Sequence, residues 1–226
     1  MEANQRKVVK VVRHTPGIFE LWLERGDLTF VPGDCVALYA ADQQASRPYS
    51  VASGVDEPVL RFLIREMAGG EVSPFLAARQ PGDWVKVSPP FGWFRPGQDR
   101  EAAPFIFMGT GTGIAPCLAL LHSWPERTPV CCLYGVRTRA DAVAFYWLRE
   151  RIDVRLAVSR EPASDAVYGR ITDLLEAMPV PEGAHYYLCG LDAMIDEVSQ
   201  WLEARQVPLP HIHRECFFNA PAEPSH

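Results

Sequence analysis

The first hundred residues alternate short apolar stretches with turn residues. Residues 6–12 and 18–24 are rich in Val, Ile, Leu, Phe and Trp and flank a turn at 15–17, so they predict a β-hairpin. Further extended segments are predicted at 29–39, 59–64 and 84–87, with Pro-Gly-Asp turns at 32–34 and 81–83. Many short strands with turn punctuation and little helical periodicity indicate an antiparallel β-barrel.

The second half alternates apolar strands with helical segments. A buried strand is predicted at 105–108, followed by a glycine-rich turn and a helix through about Ser123. Further strands are predicted at 130–134, 154–158, 184–188 and 212–218, with helices at 141–149 and through about Arg205. This alternation is typical of an α/β doubly wound parallel sheet. A polar linker at 98–103 separates the halves, so we expect two domains, residues 1–98 and 99–226.

Four consecutive residues, Arg47-Pro48-Tyr49-Ser50, combine a cation, a rigid turn, an aromatic ring and a hydroxyl. Arginine binds phosphate through paired charge-assisted hydrogen bonds, and an aromatic ring offers a face on which a planar ring system stacks. Pro48 fixes one backbone angle, so Arg47 and Tyr49 extend from a stiff segment. The combination favours a flavin nucleotide, with Ser50 as the hydroxyl partner of its reactive ring nitrogen. The alternative is an ordinary polar loop that enters a strand.

A second anion site is predicted where a short helix begins. The segment has two glycines, a capping-type serine and a proline, Pro74, at the expected first helical position. Free backbone N–H groups at such a start bind anions, and Arg65 is a candidate additional contact. The predicted pyrophosphate contacts are Gly70, Glu71, Val72 and Ser73. The alternative is a capped helix that binds no ligand.

The glycine-rich turn after residue 108 is typical of dinucleotide binding. The strand, the turn and the helix open a nucleotide-binding unit in which glycines allow the backbone to approach phosphate. The spacing is G-x-G-x-G rather than G-x-G-x-x-G. The candidate phosphate contacts are Gly111, Thr112 and Gly113.

Arginines follow the second and third strands of this half. In open parallel sheets, ligands bind beyond the carboxyl ends of the strands, where this chain has Arg137, Ser159 and Arg160. Arginine accommodates a 2′-phosphate, so these residues favour NADPH over NADH. Glu161, beside Arg160, weakens that preference, so NADH also stays open. The alternative is that the arginines are solvated surface residues.

The fourth strand of this half ends in Cys189-Gly190, with Met194 early in the next helix. A tight turn at Gly190 is expected to leave Cys189 exposed where a nicotinamide would arrive. The alternative for Cys189 is a small buried core residue. His211 and His213 alternate, a spacing found in metal-binding pairs, but without an evident third ligand no metal site is predicted.

The composition excludes several classes of function. The chain has 226 residues and a net charge of −6, which argues against a nucleic-acid surface. Its N-terminus is polar, unlike a signal peptide, and no apolar run approaches the roughly 20 residues that a membrane span needs. The six cysteines are scattered rather than clustered as in iron–sulfur or zinc sites. We therefore expect a cytoplasmic protein with reduced thiols.

These motifs, taken in order, resemble the ferredoxin–NADP reductase family along nearly the whole chain. Residues 47–50 look like R-x-Y-S, 70–73 like G-x-x-S, 109–116 like the nucleotide loop G-T-G-I-A-P, and 187–190 like Y-x-C-G. The resemblance implies an FAD-binding six-stranded antiparallel barrel, followed by a five-stranded parallel NAD(P)-binding domain. It implies FAD rather than FMN.

The resemblance also implies roles for further residues. Arg137 and Arg170 match arginines around the NADPH phosphates, and Glu215 matches a carboxylate that assists hydride or proton transfer. Phe217 or Phe218 is the candidate for covering the far face of the flavin; the alternative is that both pack in a strand. The implied catalytic residues are Ser50, Cys189 and Glu215.

The implied activity is hydride transfer from NADPH to FAD, followed by release of single electrons to a separate ferredoxin or flavodoxin. A monomer is expected. A reductase of free flavin and the reductase component of an oxygenase are alternatives within the same chemistry. A flavin- or nucleotide-binding subunit or redox sensor without turnover is the non-enzymatic alternative. Basic residues of the first half could meet an acidic ferredoxin, but scattered surface arginines are the favoured interpretation.

Overall fold

The computed structural model describes residues 4–42, 44–98 and 103–216. These residues form two compact units. The residues before 99 form the first unit together with Ala115–Thr128. Residues 103–114 and 129–216 form the second unit. The helix that follows the glycine-rich turn therefore belongs, by its contacts, to the first unit: the backbone N–H of Val55 donates to Ser123 Oγ at 3.0 Å.

The first unit contains the predicted antiparallel strands. Alternation is clearest in the second strand, where Phe19, Leu21 and Leu23 are fully buried while the residues between them are partly exposed. Such a period of two places one face of the strand on a core. The strands are β1 (Asn4–Thr15), β2 (Ile18–Glu24), β3 (Cys35–Tyr39), β4 (Ser46–Ser50), β5 (Val59–Arg65) and β6 (Trp84–Val87).

The sheet of the first unit has the order β4-β3-β6-β1-β2-β5, with every pair antiparallel. The long strand β1 pairs with β6 through its first residues and with β2 from Val8 onward, with irregular register between Val8 and Lys10. Beyond β4, the N–H of Ala52 donates to the carbonyl of Arg61 in β5 at 2.8 Å. This bond joins the two ends of the strand order, so the predicted barrel is confirmed.

One short helix interrupts the barrel, α1 (Val72–Ala77). It begins two residues earlier than the sequence predicts, so Pro74 occupies the third helical position rather than the first. Glu71 precedes the helix without a capping hydrogen bond from its side chain. Proline suits this turn because the first N–H groups of a helix have no intrahelical acceptor.

The second unit contains the parallel sheet. Its strands are β7 (Phe105–Thr110), β8 (Cys131–Val136), β9 (Val154–Val158), β10 (Val167–Tyr168), β11 (His185–Gly190) and β12 (Ile212–Cys216). The helices α2 (Ala115–Ser123), α3 (Phe145–Arg149) and α4 (Asp192–Ala204) follow β7, β8 and β11. The helix predicted at 141–149 is shorter than expected, because Arg139–Asp141 forms a separate turn of 3-10 helix.

Strand order in this sheet is β10-β9-β8-β7-β11-β12, and all pairs are parallel. Among the described residues the sheet therefore has six strands rather than the expected five, because the two residues of β10 pair with the end of β9. The chain winds outward from β7 in both directions, so β7 and β11 flank the point at which the winding reverses. Ligands of doubly wound sheets bind at the carboxyl ends of the strands beside such a point.

Candidate functional site: a flavin motif and a nucleotide motif

The flavin motif lies on β4, at one end of the strand order of the first unit. Arg47 is exposed, and its guanidinium donates to the backbone carbonyl of Ser46 at 2.8 Å. Among the described residues it has no carboxylate partner, so a strong phosphate ligand lies at the surface. Pro48 opposes Ala37 of β3, in the edge position that sheets allow proline. These features fit the phosphate group of a flavin nucleotide.

Tyr49 lies half-buried against the barrel core. Burial raises the pKa of Tyr49 to about 12, and the charge of Arg47 opposes that shift only in part. The phenol therefore stays neutral at physiological pH. A neutral ring packed on the core and partly open to solvent fits the predicted stacking role, which stays a prediction.

Ser50 is buried, with 3% of its surface exposed. Its Oγ lies 3.5 Å from Cys35 Sγ, in the neighbouring strand. Cys35 also exchanges backbone hydrogen bonds with Phe91, so the chain at Phe91 is attached to β3, the strand next to the flavin strand. The predicted contact of Ser50 with the flavin ring stays a prediction.

An ion pair that sequence reasoning missed supports this strand. Asp34 is 6% exposed, and its carboxylate accepts hydrogen bonds from Arg95 at 2.6 Å and from the N–H of Val31 at 2.8 Å. Its backbone carbonyl accepts the N–H of Val51, directly after the flavin motif, at 3.0 Å. The Pro-Gly-Asp turn thus ties the loop at Arg95 to the end of β4. From the sequence, Asp34 is interpreted only as a turn residue, and the ion pair with Arg95 is not predicted.

The predicted pyrophosphate segment is held by its serine. Ser73 is buried, and its Oγ accepts the backbone N–H of Met67 at 2.9 Å, while the N–H of Gly70 donates to the carbonyl of Met67 at 2.9 Å. Val72 is buried in the barrel core. Ser73 therefore closes the loop before α1 rather than capping the helix. Binding of pyrophosphate here, with Arg65 as a contact, stays a prediction.

The nucleotide motif of the second unit meets the end of β11. A Cβ on Gly113 would overlap the carbonyl of Cys189, and a Cβ on Gly190, which has φ +138°, would overlap Thr110 Oγ1. Thr110 Oγ1 accepts the N–H of Leu191 at 3.0 Å. Both glycines are therefore required by close packing between the turn after β7 and the turn after β11. Such packing is one of the recognised roles of glycine in dinucleotide-binding turns.

The predicted phosphate arginines lie at the carboxyl ends of β8 and β9. The N–H of Arg160 donates to the carbonyl of Arg137 at 2.9 Å, and both side chains are exposed. In the part of the chain that the structure describes, no carboxylate pairs with either guanidinium. Ser159 is exposed beside them, and its hydroxyl contacts the carbonyl of Val136. By contrast, Arg170 forms an exposed ion pair with Glu197 at 2.8 Å.

The prediction that Cys189 is exposed is wrong. Cys189 is fully buried, because it lies in the interior of the sheet between Gly109 of β7 and Glu215 of β12. Its thiol nevertheless lies 3.7 Å from Glu215 Oε2, so the structure brings together two of the three predicted catalytic residues. Glu215 is half-buried.

Met194 lies on the buried face of α4, in the core of the second unit, and its predicted contact with the coenzyme stays a prediction. Phe217 and Phe218 lie outside the described residues.

Three histidines gather where β11 and β12 begin. His185 Nδ1 lies 2.8 Å from His213 Nε2, and the rings of His185 and His211 stack with centroids 4.3 Å apart. The sequence paired only His211 with His213 and gave no sign of His185. Among residues 4–42, 44–98 and 103–216, no group of three His, Cys, Asp or Glu side chains converges as metal ligands would.

Several arginines of the first unit have carboxylate partners. Arg13 pairs with Glu66, Arg61 with Glu57, Arg79 with Asp83 and Arg95 with Asp34. Their charge is thereby largely balanced within the unit, which agrees with the interpretation as ordinary surface arginines. Within the described residues, none of the helices has the length and apolarity needed to cross a bilayer.

Comparison with known proteins gives both halves a family. A model of the oxidoreductase FAD-binding domain matches residues 7–95, and one of the oxidoreductase NAD-binding domain matches residues 107–200. The toluate 1,2-dioxygenase electron transfer component of Pseudomonas putida is 29% identical over 84% of this chain and 59% of its own length. The flavodoxin/ferredoxin–NADP reductase of Shigella flexneri is 29% identical over 84% of this chain and 85% of its own length.

A solved structure extends the comparison to the fold. The ferredoxin NADP+ reductase of Neisseria gonorrhoeae, with bound FAD and NADP, has a TM-score of 0.87 at 21% identity, over 96% of this chain and 100% of that one. The chain spans less than two thirds of the length of the oxygenase reductase relatives that it matches. With an FAD-binding and an NAD-binding oxidoreductase domain in this order, and relatives of this kind, the chain belongs to the ferredoxin–NADP reductase family of flavoprotein oxidoreductases.

Proposed function

We propose that this protein takes hydride from NADPH onto bound FAD and passes single electrons to a separate ferredoxin or flavodoxin. The observation that carries the proposal is the placement of Arg137 and Arg160, whose backbones are joined by a 2.9 Å hydrogen bond. Their guanidinium groups have no carboxylate partners among the described residues. Two exposed, unpaired guanidinium groups at the carboxyl ends of neighbouring strands suit a 2′-phosphate. Residues 1–98 would serve the flavin and residues 99–226 the coenzyme.

FAD supplies, when bound, a ring that accepts a hydride and releases its electrons one at a time. Arg47 would bind its phosphate, and the neutral ring of Tyr49 would offer a stacking face beside Pro48. Ser50 would orient the reactive ring nitrogen from its position against Cys35, 3.5 Å away. The segment 70–73, closed by the Met67–Ser73 hydrogen bond, would provide N–H donors for the pyrophosphate beyond that of Gly70, which donates to Met67.

The end of β11 would serve the nicotinamide. The tight turn at Gly190 brings the backbone of Cys189 against the glycine-rich turn, and the nicotinamide would lie beside these two turns. Glu215 would hold or move a proton from its position 3.7 Å from the Cys189 thiol. Its carboxylate would also stabilise positive charge on the nicotinamide as hydride leaves.

The proposal extends to the partner and the setting. An acceptor of single electrons would be a separate carrier protein, and we propose a cytoplasmic monomer. Because most arginines of the flavin unit are paired with carboxylates, we do not assign the docking face to them.

The test is anaerobic mixing of the FAD-loaded protein with NADPH and, separately, with NADH, while flavin absorbance is followed. We expect rapid bleaching by NADPH and much slower bleaching by NADH. Equal rates would contradict the coenzyme choice and keep the reductase. A protein that does not bind FAD would contradict the proposal as a whole.

A reductase component of an oxygenase is the second candidate. The toluate dioxygenase electron transfer component is as similar to this chain as the flavodoxin/ferredoxin–NADP reductase, each at 29% identity. The reduced protein, offered a ferredoxin, a flavodoxin and an oxygenase-type ferredoxin in separate assays, distinguishes the two. Fast turnover only with the oxygenase-type carrier would favour the second candidate, and fast turnover with free flavin would favour a flavin reductase.

A further inference from the structure

The segment that follows β9 is attached to Arg139 at two points. The backbone N–H of Arg139 donates to Glu161 Oε1 at 2.7 Å. Its guanidinium binds Asp165 through two nitrogens, with Nε 3.0 Å from Oδ1 and Nη2 2.8 Å from Oδ2. Glu161 and Asp165 are the two carboxylates between Ser159 and Tyr168. Arg139 therefore engages both of them.

The pairing of Arg139 with Asp165 is strong and fixed. The side chains are 23% and 27% exposed, so solvent screens them only in part. Hydrogen bonds from Arg139 lower the pKa of Asp165, and the hydrogen bond to Asp165 raises the pKa of Arg139. The guanidinium also lies over the rings of Phe145 and Tyr146, at 4.9 and 4.6 Å from their centroids. Two hydrogen bonds and two ring faces set its position.

Arg137 and Arg160 lie close to Arg139 in the chain or beside it at the strand ends, but their side chains are not held in ion pairs within the described residues. Both are exposed, and no carboxylate of the described residues pairs with either guanidinium. Glu161 directly follows Arg160 in the chain but is turned to the N–H of Arg139 instead. The strand ends thus offer two uncommitted cations, while the two nearby carboxylates of the 159–168 segment are both occupied. A released carboxylate would pair with these cations or repel a bound phosphate.

We propose that Arg139 is a positioning residue for coenzyme choice. By holding Asp165 with its side chain and Glu161 with its backbone, it keeps both carboxylates away from Arg137 and Arg160. The loop then accepts the 2′-phosphate of NADPH. This inference rests on the proposed use of NADPH and deepens it, because it assigns selectivity to a residue that contacts neither the phosphate nor the reacting atoms.

The test compares the wild type with Arg139→Met, Asp165→Asn and the double variant. Arg139→Met removes the charge at similar length and releases Asp165. The readouts are calorimetric binding of adenosine 2′,5′-bisphosphate against ADP, and the apparent dissociation constants of NADPH and NADH in anaerobic flavin reduction. Arg155→Met is the matched control for loss of an arginine from an ion pair.

We expect Arg139→Met to weaken binding of the 2′-phosphate ligand about tenfold, as one nearby like charge is expected to do, while ADP binding stays the same. The limiting rate of flavin reduction should change little, so the effect falls on binding. Adding Asp165→Asn to Arg139→Met should restore the discrimination between adenosine 2′,5′-bisphosphate and ADP, because the released carboxylate of Asp165 is then replaced by a neutral amide. Asp165→Asn alone should discriminate at least as well as the wild type.

Several outcomes overturn the inference. Unchanged discrimination in Arg139→Met does so, and so does a double variant as poor as Arg139→Met, since the effect would then come from distortion. If Arg139→Met does not fold, Asp165→Asn still decides, because loss of discrimination in that variant contradicts the proposal. A wild type that binds both ligands equally contradicts the proposed coenzyme choice itself. Failure at that level is thus distinct from failure of the inference alone.

Discussion

The thiol of Cys189 lies 3.7 Å from the Glu215 carboxylate, although 26 residues separate them in the chain. The contact arises because β11 and β12 are parallel neighbours in which Cys189 and Glu215 are direct register partners. On its other side, β11 pairs with β7, and Cys189 is the register partner of Gly109, which lies just before the glycine-rich turn. A carboxylate is thereby fixed beside the nucleotide motif of the second unit.

Replacing Glu215 by Gln keeps its shape and removes its charge. We expect flavin reduction by NADPH to slow about 100-fold, the lower end of what a positioned acid–base group contributes, with FAD binding unchanged. Anaerobic stopped-flow absorbance measures the rate. Glu203→Gln is the control, because Glu203 forms an exposed ion pair with Arg214. Equal rates in Glu215→Gln and the control would remove Glu215 from the mechanism.

The pKa of Tyr49 gives a prediction on stability and pH. Because burial raises it from 10.0 to about 12, the folded state favours the neutral phenol. That contribution is fully present below pH 10 and is lost as the pH rises toward 12, by roughly 2 kcal/mol. Urea unfolding at a series of alkaline pH values measures it. Tyr49→Phe should show a shallower loss of stability over that range, and an identical slope would contradict the assignment.

Close packing at Gly190 predicts a cost for a single methyl group. Gly190→Ala would combine left-handed backbone strain with overlap of Thr110 Oγ1, so we expect a loss of roughly 2–3 kcal/mol in the free energy of unfolding. Gly183→Ala is the matched control: its φ is also positive, but no heavy atom lies within 4 Å of the added Cβ. The control should lose only about 1 kcal/mol. Chemical denaturation measures both variants, and similar losses would show that the overlap is relieved.

The partly buried pair of Asp34 and Arg95 should contribute more to stability than exposed pairs do. Asp34→Ala removes the carboxylate that binds Arg95 and the N–H of Val31, so we expect a loss of about 2–3 kcal/mol. The turn that holds the end of β4 would loosen, so FAD binding should also weaken. Glu150→Gln, at an exposed pair with Arg151, should cost less than about 1 kcal/mol. Denaturation and FAD titration test both effects. A small loss for Asp34→Ala would mean that the loop at Arg95 holds β4 without it.

We expect Cys216 to react with thiol reagents faster than the other five cysteines do. The other five cysteines are buried, and burial raises the pKa of Cys131 to about 11, whereas Cys216 is exposed. Partial burial, followed by the hydrogen bond and charge of Asp192, raises the pKa of Cys216, so its labelling should accelerate as the pH increases. Labelling of the native protein with a disulfide reagent counts the reactive thiols. Cys216→Ser should abolish the fast phase, and its survival would show that a buried thiol is accessible.

Local patterns were sufficient for the elements and their class. An apolar stretch beside a turn predicted β2, apolar runs next to turns predicted β6 and β9, and the glycine-rich turn predicted the start of a nucleotide-binding unit. These predictions succeed because side-chain alternation and turn chemistry act over a few residues. The two-residue strand β10 was missed, because a segment that short carries no period of its own.

What the sequence by itself determined is the order of the two domains, the identity of their motifs and the presence of chemistry suited to a flavin and a nicotinamide nucleotide. Only the tertiary structure decided which side chains meet. Cys189 is buried because strands pack on both sides of it, and Glu161 binds Arg139 rather than its neighbour Arg160. Asp34 reaches Arg95 across 61 positions of the chain. Such contacts depend on strand order and register, which bring distant residues together and leave no local signal in the sequence.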